Sequence, residues 1–443
     1  MLFNYNNIGV CKLFLLLGCL IIANALKAAS YYCDPAKGSM LNPGSSTQPW
    51  GKLEDVFTAH KTFAPGDVIY LRSGYHGFPV IGGINAEDVV IQAQAGQFPT
   101  VKNIKITDAR HWVILGLSIS PEAAGTYEMG ALVTITPTAS HITIKQCNIY
   151  STAANISAWT EAEILSRCAL GIRVEGRDCI IAQNQIKQVT FGIVVNKTGI
   201  GSLVTSNTID GFIHDGMRGL ADSCTFAYNV VKASYAVDDN HDDGFQSWST
   251  DADGKPGAGV IRNVTLRGNT FISQYYPNQP FPQKKSGMQG IGNFDGFFEN
   301  WVIENNVIIT DMWHGISLYG AINCKIVNNT VIKNPLSVNN YTPWIGVYDH
   351  KTRGKSSGNV VKNNLVADLN TLSGCMASSN LKITDYEAFF EDYKHYNLHL
   401  KPGTAAVGAG SPIDAPLTDM DKRTRKPTVD LGAYQYNKAV SAP

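Results

Sequence analysis

Short stretches in which hydrophobic and polar residues alternate, each ending at an asparagine, recur along the chain. Alternation with a period of two is typical of a β-strand with one buried face. Residues 142–148, 179–184, 203–207 and 224–229 show the pattern clearly. The asparagines that end these stretches are Asn148, Asn184, Asn207, Asn229, Asn269, Asn306, Asn329 and Asn364. Their spacings of 36, 23, 22, 40, 37, 23 and 35 residues fit a base period of 22 or 23 residues, with insertions in some repeats.

A period of this length matches one coil of a parallel β-helix, which contains three short strands and three corners. Asparagine tolerates the left-handed backbone of a corner, and its side-chain amide can bond the main chain of the coils above and below. The eight asparagines are therefore predicted to form a ladder inside one corner. The predicted fold is all-β, a single right-handed parallel β-helix with long loops that flank a groove.

A second set of strands, each opened by a glycine, precedes most of the asparagines. These strands begin at Gly171, Gly192, Gly216, Gly244, Gly287, Gly315 and Gly346. Alternation places the residue after each glycine in the core and the next one outside. One outward column is predicted to hold Arg173, Val194, Arg218, Gln246, Gln289, Ser317 and Tyr348, and the next to hold Glu175, Asn196, Leu220, Trp248, Ile291, Tyr319 and His350. In the Gly287 repeat, Gly290 fits the pattern equally well and would turn Gln289 inward.

Composition agrees with this fold and excludes some partners. The 443 residues include 41 glycines, 44% hydrophobic residues and only 16% charged residues, which favours β-structure and turns. The formal net charge is zero, so no basic surplus indicates nucleic acid or an anionic membrane as a partner. The cysteines after residue 30 form no CxxC pair, which argues against a disulfide scaffold or a zinc site and predicts buried thiols. We expect a monomer.

The first 30 residues have the pattern of an export signal. Lys12 precedes an apolar run over 13–22, and small residues follow at 23–25 and 28–30. The run is too short to span a bilayer. We interpret residues 1–30 as a signal peptide, 31–371 as the β-helix with its N-terminal cap and 372–443 as a closing segment packed on the helix. The expected protein is secreted or periplasmic, and residues 50–57 predict a short capping helix.

The chain resembles the pectate-lyase-like superfamily of right-handed β-helix proteins. Residues 65–72 (PGDVIYLR) resemble the opening strand of these proteins, and 410–414 (GSPID) with 430–436 (DLGAYQY) resemble their closing module. The resemblance covers most of the chain from Tyr31 onward and implies an acidic polysaccharide as the partner. The superfamily includes polysaccharide lyases, uronate epimerases, hydrolases, phage tailspikes and surface binding proteins, so the fold leaves the reaction open.

Polar residues are densest over 238–248 (DDNHDDGFQSW). Four carboxylates within six residues repel one another unless they are protonated, hydrogen-bonded or bound to a cation. One coil earlier lie Asp215 and Arg218, so acids, bases and amides are expected in one patch. The predicted substrate-binding residues are Gln246, Trp248, Gln289, His314 and Tyr319.

The leading hypothesis is a lyase that cleaves a uronate-containing polysaccharide by β-elimination. The reaction removes the C5 proton of the uronate and needs a cation or an amide to neutralise its carboxylate. Resemblance to calcium-dependent β-helix lyases implies that Arg218 is the base, with Lys284 or Lys285 in reserve. The implied calcium ligands are Asp239, Asp242 and Asp243. The predicted catalytic residues are Asp215, Arg218, His241 and Asp242.

Three alternatives remain open. Residues 239–242 (DNHD) resemble the Asp-Pro-His-Asp motif of mannuronan epimerases, which implies an epimerase with His241 as the base. The order Asp215, Asp242 and His314 resembles that of polygalacturonases, which implies a hydrolase with carboxylates across a glycosidic bond. A glycan-binding surface protein would use the same groove without catalysis. The acids and bases favour catalysis, because binding of an acidic sugar alone rarely requires several carboxylates.

Overall fold

The computed structural model describes residues 28–127, 129–154, 156–279, 287–337 and 339–437. Most of the predicted export signal, residues 1–27, and both reserve bases, Lys284 and Lys285, lie outside these ranges. Within them, no helix is long and apolar enough to cross a membrane.

The chain winds through successive coils, and each full coil adds one strand to each of three sheets. In one coil, Asp215–Gly219 is followed by Thr225–Ala227 and Val230–Ser234, and the next coil begins with Asp243–Trp248. We name the sheets the site sheet, the ladder sheet and the back sheet, in that order along each coil. Strands of neighbouring coils pair in parallel, as the sequence period predicts.

The strands of the three sheets have the following bounds. The site sheet contains the first parts of Val80–Ala93 and Ile104–Leu115, then Ala131–Ile135, Leu170–Val174, Ile193–Val195, Asp215–Gly219, Asp243–Trp248, Gln289–Asp295, His314–Tyr319, Trp344–Tyr348 and Asp368–Leu372. The ladder sheet contains Ser30–Cys33, Val68–Leu71, the later parts of Val80–Ala93 and Ile104–Leu115, then Ser140–Lys145, Ile180–Ala182, Leu203–Thr205, Thr225–Ala227, Thr265–Arg267, Val302–Glu304, Lys325–Val327, Asn359–Lys362 and Cys375–Ser378. The back sheet contains Gly74–Tyr75, Pro99–Val101, Ser118–Ile119, Asn148–Tyr150, Gln185–Val189, Thr208–Phe212, Val230–Ser234, Thr270–Ile272, Val307–Thr310, Thr330–Lys333, Leu365–Val366 and Leu381–Lys382.

Smaller elements decorate the coils. Three short parallel strands lie between the site and ladder sheets, at Val260–Arg262, Phe297–Glu299 and Ala321–Ile322. An antiparallel pair is formed by Phe390–Asp392 and Asn397–Leu400. The α-helices are Leu53–Thr58, Glu161–Arg167 and Tyr386–Phe389, and the 3₁₀ turns are Pro121–Ala124, Ile156–Ala158 and Tyr393–His395.

The corner between the ladder sheet and the back sheet contains the predicted asparagine ladder. The main-chain N–H of Asn207 donates to Asn229 Oδ1 (3.0 Å), and Asn207 Nδ2 donates to Ile181 O (2.8 Å). Each side chain thus satisfies polar groups of adjacent coils and holds them in register. The left-handed backbone belongs to the residue before the asparagine, as at Ser206 (φ 57°), so the ladder uses the amide of asparagine rather than its backbone tolerance. The same bonds are made at Asn184, Asn207, Asn229, Asn269, Asn306, Asn329 and Asn364.

Two rungs of the ladder differ from the prediction. Asn148 is exposed, and Cys147 occupies the ladder position of its coil, where its N–H donates to Asn184 Oδ1 at 3.0 Å. Asn380 adds a further rung, since the N–H of Asn364 donates to Asn380 Oδ1 at 3.0 Å. The prediction was wrong at Asn148 because a strand one residue longer or shorter gives the same sequence pattern.

Inward residues of the three sheets form one elongated hydrophobic core. Large aromatic rings fill it beneath the middle of the site sheet, where Phe245 lies 4.9 Å from Phe226 and 6.3 Å from Trp301 between ring centroids. The predicted buried thiols are confirmed among the described residues. The free and fully buried cysteines are Cys33, Cys147, Cys168, Cys179, Cys224 and Cys324, while Cys375 is half-buried.

Segments before and after the coils pack against the solenoid. The predicted N-terminal helix forms over Leu53–Thr58 and buries Leu53 and Val56 against the first coils. At the other end the chain after Lys382 folds back along the corner of the ladder. Its buried Arg425 donates to Asn305 Oδ1 at 2.7 Å, and the N–H of Gly432 donates to Asn363 O at 2.8 Å. The C-terminal segment therefore packs along the side of the solenoid, at the ladder corner.

Candidate active site

A column of glycines shapes the site sheet where the predicted residues converge. Gly216, Gly244, Gly290 and Gly315 open four consecutive strands. A Cβ on Gly244 would lie 2.5 Å from the Phe271 ring and 2.9 Å from Gly290 O, so only glycine fits at this position. In three of these strands the residue before the glycine hydrogen-bonds the residue two positions after it, and these pairs are Asp215 with Arg218, Asp243 with Gln246 and His314 with Ser317.

In the coil that contains Gln289, the alternation of inward and outward residues follows Gly290 and not Gly287. Asp243 pairs with Gln289, and Gln246 pairs with Gly292, so Gly290 is the glycine of this strand and Gly287 is not. Gln289 therefore lies beside Asp243 rather than beside Gln246, and it is buried. The prediction was wrong for both outward columns in this coil, since Gln289 is buried and Ile291 faces the core.

The predicted position of Tyr348 beside Ser317, in the last coil of the column, was also wrong. Tyr348 pairs with Tyr319, and Gly346 pairs with Ser317, after an irregularity near the start of the strand. The rings of Tyr319 and Tyr348 stack at 4.6 Å between centroids. The sequence placed Tyr348 beside Ser317, because an irregular pairing leaves no mark on alternation.

Arg218 is held as a fixed cation on this surface. Its guanidinium carbon lies 4.2 Å from the centroid of the Phe191 ring and 4.9 Å from that of Trp248. Its Nε donates to Asp215 Oδ2, and Asp215 Oδ1 accepts the N–H of Asp243 at 3.1 Å. Burial raises the pKa of Asp215, while Arg218 opposes that rise. Aromatic faces and a buried carboxylate therefore contact the guanidinium on three sides and hold it in place.

The same motif recurs in the next coil. Gln246 Nε2 donates to Asp243 Oδ2 at 2.9 Å across Gly244. Asp243 is completely buried, and burial together with the charge of Asp215 raises its pKa well above that of an ordinary aspartate. Asp243 Oδ1 and Gln289 Oε1 are buried without a hydrogen-bond partner among the described residues. In both coils a buried acid therefore orients a more exposed polar side chain.

Asp242 and Asp239 lie apart from these pairs. Asp242 is completely buried at the corner and accepts a hydrogen bond from Ser234 Oγ. Burial raises its pKa well above the ordinary range, with smaller effects from Asp215 and Asp238. Asp239, by contrast, is exposed on the preceding loop.

A shallow depression of about 230 Å³ opens above the Gln289 strand. His314 lies on its floor, where Nδ1 is 2.8 Å from Ser317 Oγ. Burial, with a smaller effect from His241, lowers the pKa of His314 to about 4, so this imidazole is neutral at neutral pH. The residues that line the depression are His241, Gln246, Gln289, Phe294, Asp295, His314 and Lys351.

Predicted site residues thus divide into two layers. Exposed or half-buried side chains face the groove, and these are Arg218, His241, Gln246, Trp248, His314 and Tyr319. Buried side chains lie beneath them, and these are Asp215, Asp242, Asp243 and Gln289. The structure therefore brings most of the predicted residues to one surface, but it puts Asp215, Asp242 and Asp243 below that surface.

Sequence reasoning missed several residues of the site. Phe191 precedes Gly192 as Asp215 precedes Gly216, so the glycine column contained a signal for it. Phe294 lies on the strand Gln289–Asp295, and the predicted alternation from Gly287 gave this residue no place in the site. Lys351 follows Trp344–Tyr348 on a loop and reaches Asp295 with Nζ at 2.8 Å. No periodic pattern marks a loop residue, so Lys351 had no signal.

The acidic residues do not fit the calcium ion that the family resemblance implies. Asp239 is exposed, whereas Asp242 and Asp243 are buried and each has an oxygen engaged by a protein donor. Burial raises the pKa of both carboxyls well above the ordinary aspartate range. In the part of the chain that the structure describes, no three His, Cys, Asp or Glu side chains are placed to share a metal ion. Calcium binding stays a prediction without a direct test.

Comparison with known proteins bears on the fold. No family model and no curated protein matches the chain. Among solved structures, pectate lyase Pel9A is similar with a TM-score of 0.52 at 13% identity, over 92% of this chain and 96% of that chain. The A-module of the Azotobacter vinelandii mannuronan C-5 epimerase AlgE6 has a TM-score of 0.44 at 14% identity, over 75% of this chain and 93% of that chain. An alginate lyase from Paenibacillus sp. str. FPU-7 has a TM-score of 0.40 at 12% identity, over 78% of this chain and 99% of that chain.

At these identities the likeness concerns architecture alone. The parallel strands of three sheets, the asparagine ladder and the match to Pel9A along nearly the whole of both chains agree with one another. The chain has a right-handed parallel β-helix fold of the pectate-lyase-like type.

Proposed function

We propose that the protein is a lyase that cleaves a uronate-containing polysaccharide by β-elimination in the groove of the site sheet. The observation that carries the proposal is Arg218, a cation clamped between Phe191 and Trp248. Arg218 pairs with Gln246 on the next strand, and Gln246 lines the depression together with the exposed His241. A fixed guanidinium can pair with a uronate carboxylate through two parallel hydrogen bonds. The signal peptide predicted over residues 1–30 would direct export of such an enzyme to a polymer outside the cell.

The contacts of Arg218 favour a role in binding over proton abstraction. Its Nε donates to Asp215, and a guanidinium has only donor groups, so it cannot accept the C5 proton. Paired with the substrate carboxylate, it instead makes the C5 proton more acidic. Arg218 therefore has the neutralising role that calcium would otherwise supply.

His241 is the better base. It lies exposed on the wall of the depression, and imidazole is the side chain that most often serves as a general base. In the proposed reaction His241 takes the C5 proton, and the electron pair of that bond forms the C4–C5 double bond. The C4–O bond breaks, and the leaving oxygen takes a proton from the ammonium of Lys351. His314, with its lowered pKa, stays neutral and binds a sugar hydroxyl.

A panel of acidic polymers tests the proposal. Purified protein is incubated with alginate, pectate and glycosaminoglycans, and ultraviolet absorbance records unsaturated uronate products. We expect a rise with one polymer class, undiminished by a chelator, and a loss of at least about 100-fold in kcat for His241→Ala. His60→Ala, an exposed histidine in the N-terminal cap region, is the matched control and should retain wild-type activity. Absence of unsaturated product with every polymer would overturn the lyase assignment.

An epimerase is the second candidate, because His241 lies in the segment 239–242 that resembles an epimerase motif. Both reactions begin with removal of the C5 proton, but an epimerase returns a proton to the opposite face of the sugar. Incubation in deuterated water separates them. Deuterium at C5 of an uncleaved polymer indicates epimerisation, whereas a double bond at a new chain end indicates the lyase.

A further inference from the structure

An exposed group of aromatic rings lies next to the depression and is used by none of the proposed chemistry. Trp313 is 41% exposed, although large apolar side chains are normally covered. The Trp313 ring lies 4.4 Å from that of Tyr341 and 6.4 Å from that of Trp344, with an angle of only 10° between the two indoles. We call Trp313, Tyr341 and Trp344 the aromatic platform.

The platform is continuous with the depression. The main-chain N–H of Trp344 donates to Trp313 O at 2.8 Å, which ties the two strand starts together. The Trp344 ring meets the ring of His314 edge-on at 5.4 Å, and His314 in turn meets Phe294 at 4.9 Å. His314 and Phe294 line the depression. An unbroken row of rings therefore runs from the depression to the exposed face of Trp313.

The position of the platform suits a polymer that lies along the helix axis. Trp313 precedes the strand His314–Tyr319, which is three strands beyond that of Arg218. Parallel strands are about 4.8 Å apart, so the two positions are separated by roughly 14 Å along the axis. A ligand confined to the depression would not reach Trp313, whereas a polysaccharide chain bound through the depression would.

We propose that the aromatic platform is a subsite that binds a sugar residue of the polymer next to the depression in which the bond is cleaved. The C–H face of a sugar ring is apolar and weakly positive, and it packs on the negative face of an indole. No cationic side chain is part of the platform, so the sugar it holds is bound through its ring face and not through its carboxylate. The inference rests on the proposed function, since it requires a polysaccharide in the same groove.

The prediction is that Trp313→Ala weakens the binding of long polymer about tenfold, since one aromatic contact contributes that much. Mobility in gels that contain the preferred polymer measures binding, and kinetics on the polymer and on its shortest cleavable fragment measure catalysis. KM for the polymer should rise about tenfold while kcat and the constants for the fragment stay unchanged. Trp313→Phe should restore most of the binding, and Phe98→Ala, an exposed ring near the N-terminal cap, should change nothing.

Each outcome has a separate meaning. Wild-type mobility of Trp313→Ala, in an assay where Arg218→Ala loses retardation, would overturn the platform and leave the proposed function intact. Equal loss of kcat on polymer and fragment would also overturn it, because that pattern indicates a disturbed site rather than a lost subsite. Failure of the wild-type protein to bind or cleave any polymer would overturn the proposed function, and the subsite with it.

Discussion

Replacing Arg218 with methionine removes the guanidinium but keeps an unbranched side chain between Phe191 and Trp248. The buried carboxylate of Asp215 would then lose the cation that contacts Oδ2. Removing one partner of a buried ion pair costs about 3–5 kcal/mol. The Arg218 side chain is 23% exposed, and solvent partly screens its charge, so the lower end applies. We expect Arg218→Met to lower the free energy of unfolding by about 3 kcal/mol at alkaline pH.

The loss should depend on pH with a definite sign. Burial already raises the pKa of Asp215, and loss of Arg218 raises it further. A carboxyl with a raised pKa binds its proton more tightly in the folded protein than in the unfolded one. Its contribution to stability is therefore greatest in acid and falls as the pH rises from the ordinary aspartate range towards the raised pKa. The difference between Arg218→Met and wild type should be small in acid and full above that window.

Urea unfolding followed by far-ultraviolet circular dichroism, repeated over a series of pH values, measures this difference. A double-mutant cycle with Asp215→Asn should give a coupling energy of about 2 kcal/mol. Arg173→Met is the matched control, because Arg173 occupies the same column two coils earlier, and its effect should stay within about 0.5 kcal/mol. Strict additivity in the cycle, or a loss independent of pH, would refute an ionised Asp215 paired with Arg218.

Two further predictions concern the scaffold. Asp242→Asn removes a buried carboxyl with a raised pKa. Relative to wild type, the variant should become more stable as the pH rises above the ordinary aspartate range, and it should show no gain in acid. The urea midpoint at each pH measures this difference. A flat difference across pH would contradict the protonated Asp242. Asn207→Ala leaves the N–H of Asn184 without its acceptor and should lower the free energy of unfolding by about 2–3 kcal/mol, whereas the exposed Asn148→Ala should have an effect within about 0.5 kcal/mol. Equal effects of the two asparagine variants would refute the ladder.

The period of the asparagines was enough to predict a solenoid, because every coil must satisfy its corner in the same way. The glycines were enough to align most of the site sheet, because a Cβ at Gly216 or Gly244 would overlap the core. Arg218 beside Gln246 follows directly from that alignment and is confirmed. The sequence could not choose between Gly287 and Gly290, since both satisfy the alternation and only packing against Gly315 decides.

The local pattern of residues therefore determined the fold, the order of the coils and the surface that carries the site. Tertiary structure alone decided which of the polar residues reach that surface. An acidic cluster has the same sequence whether its carboxylates meet solvent or lie in a corner, and here Asp215, Asp242 and Asp243 are buried. Lys351 lies beside Asp295 although 56 residues separate them, and a contact of that kind depends on where a loop folds back rather than on any period in the chain.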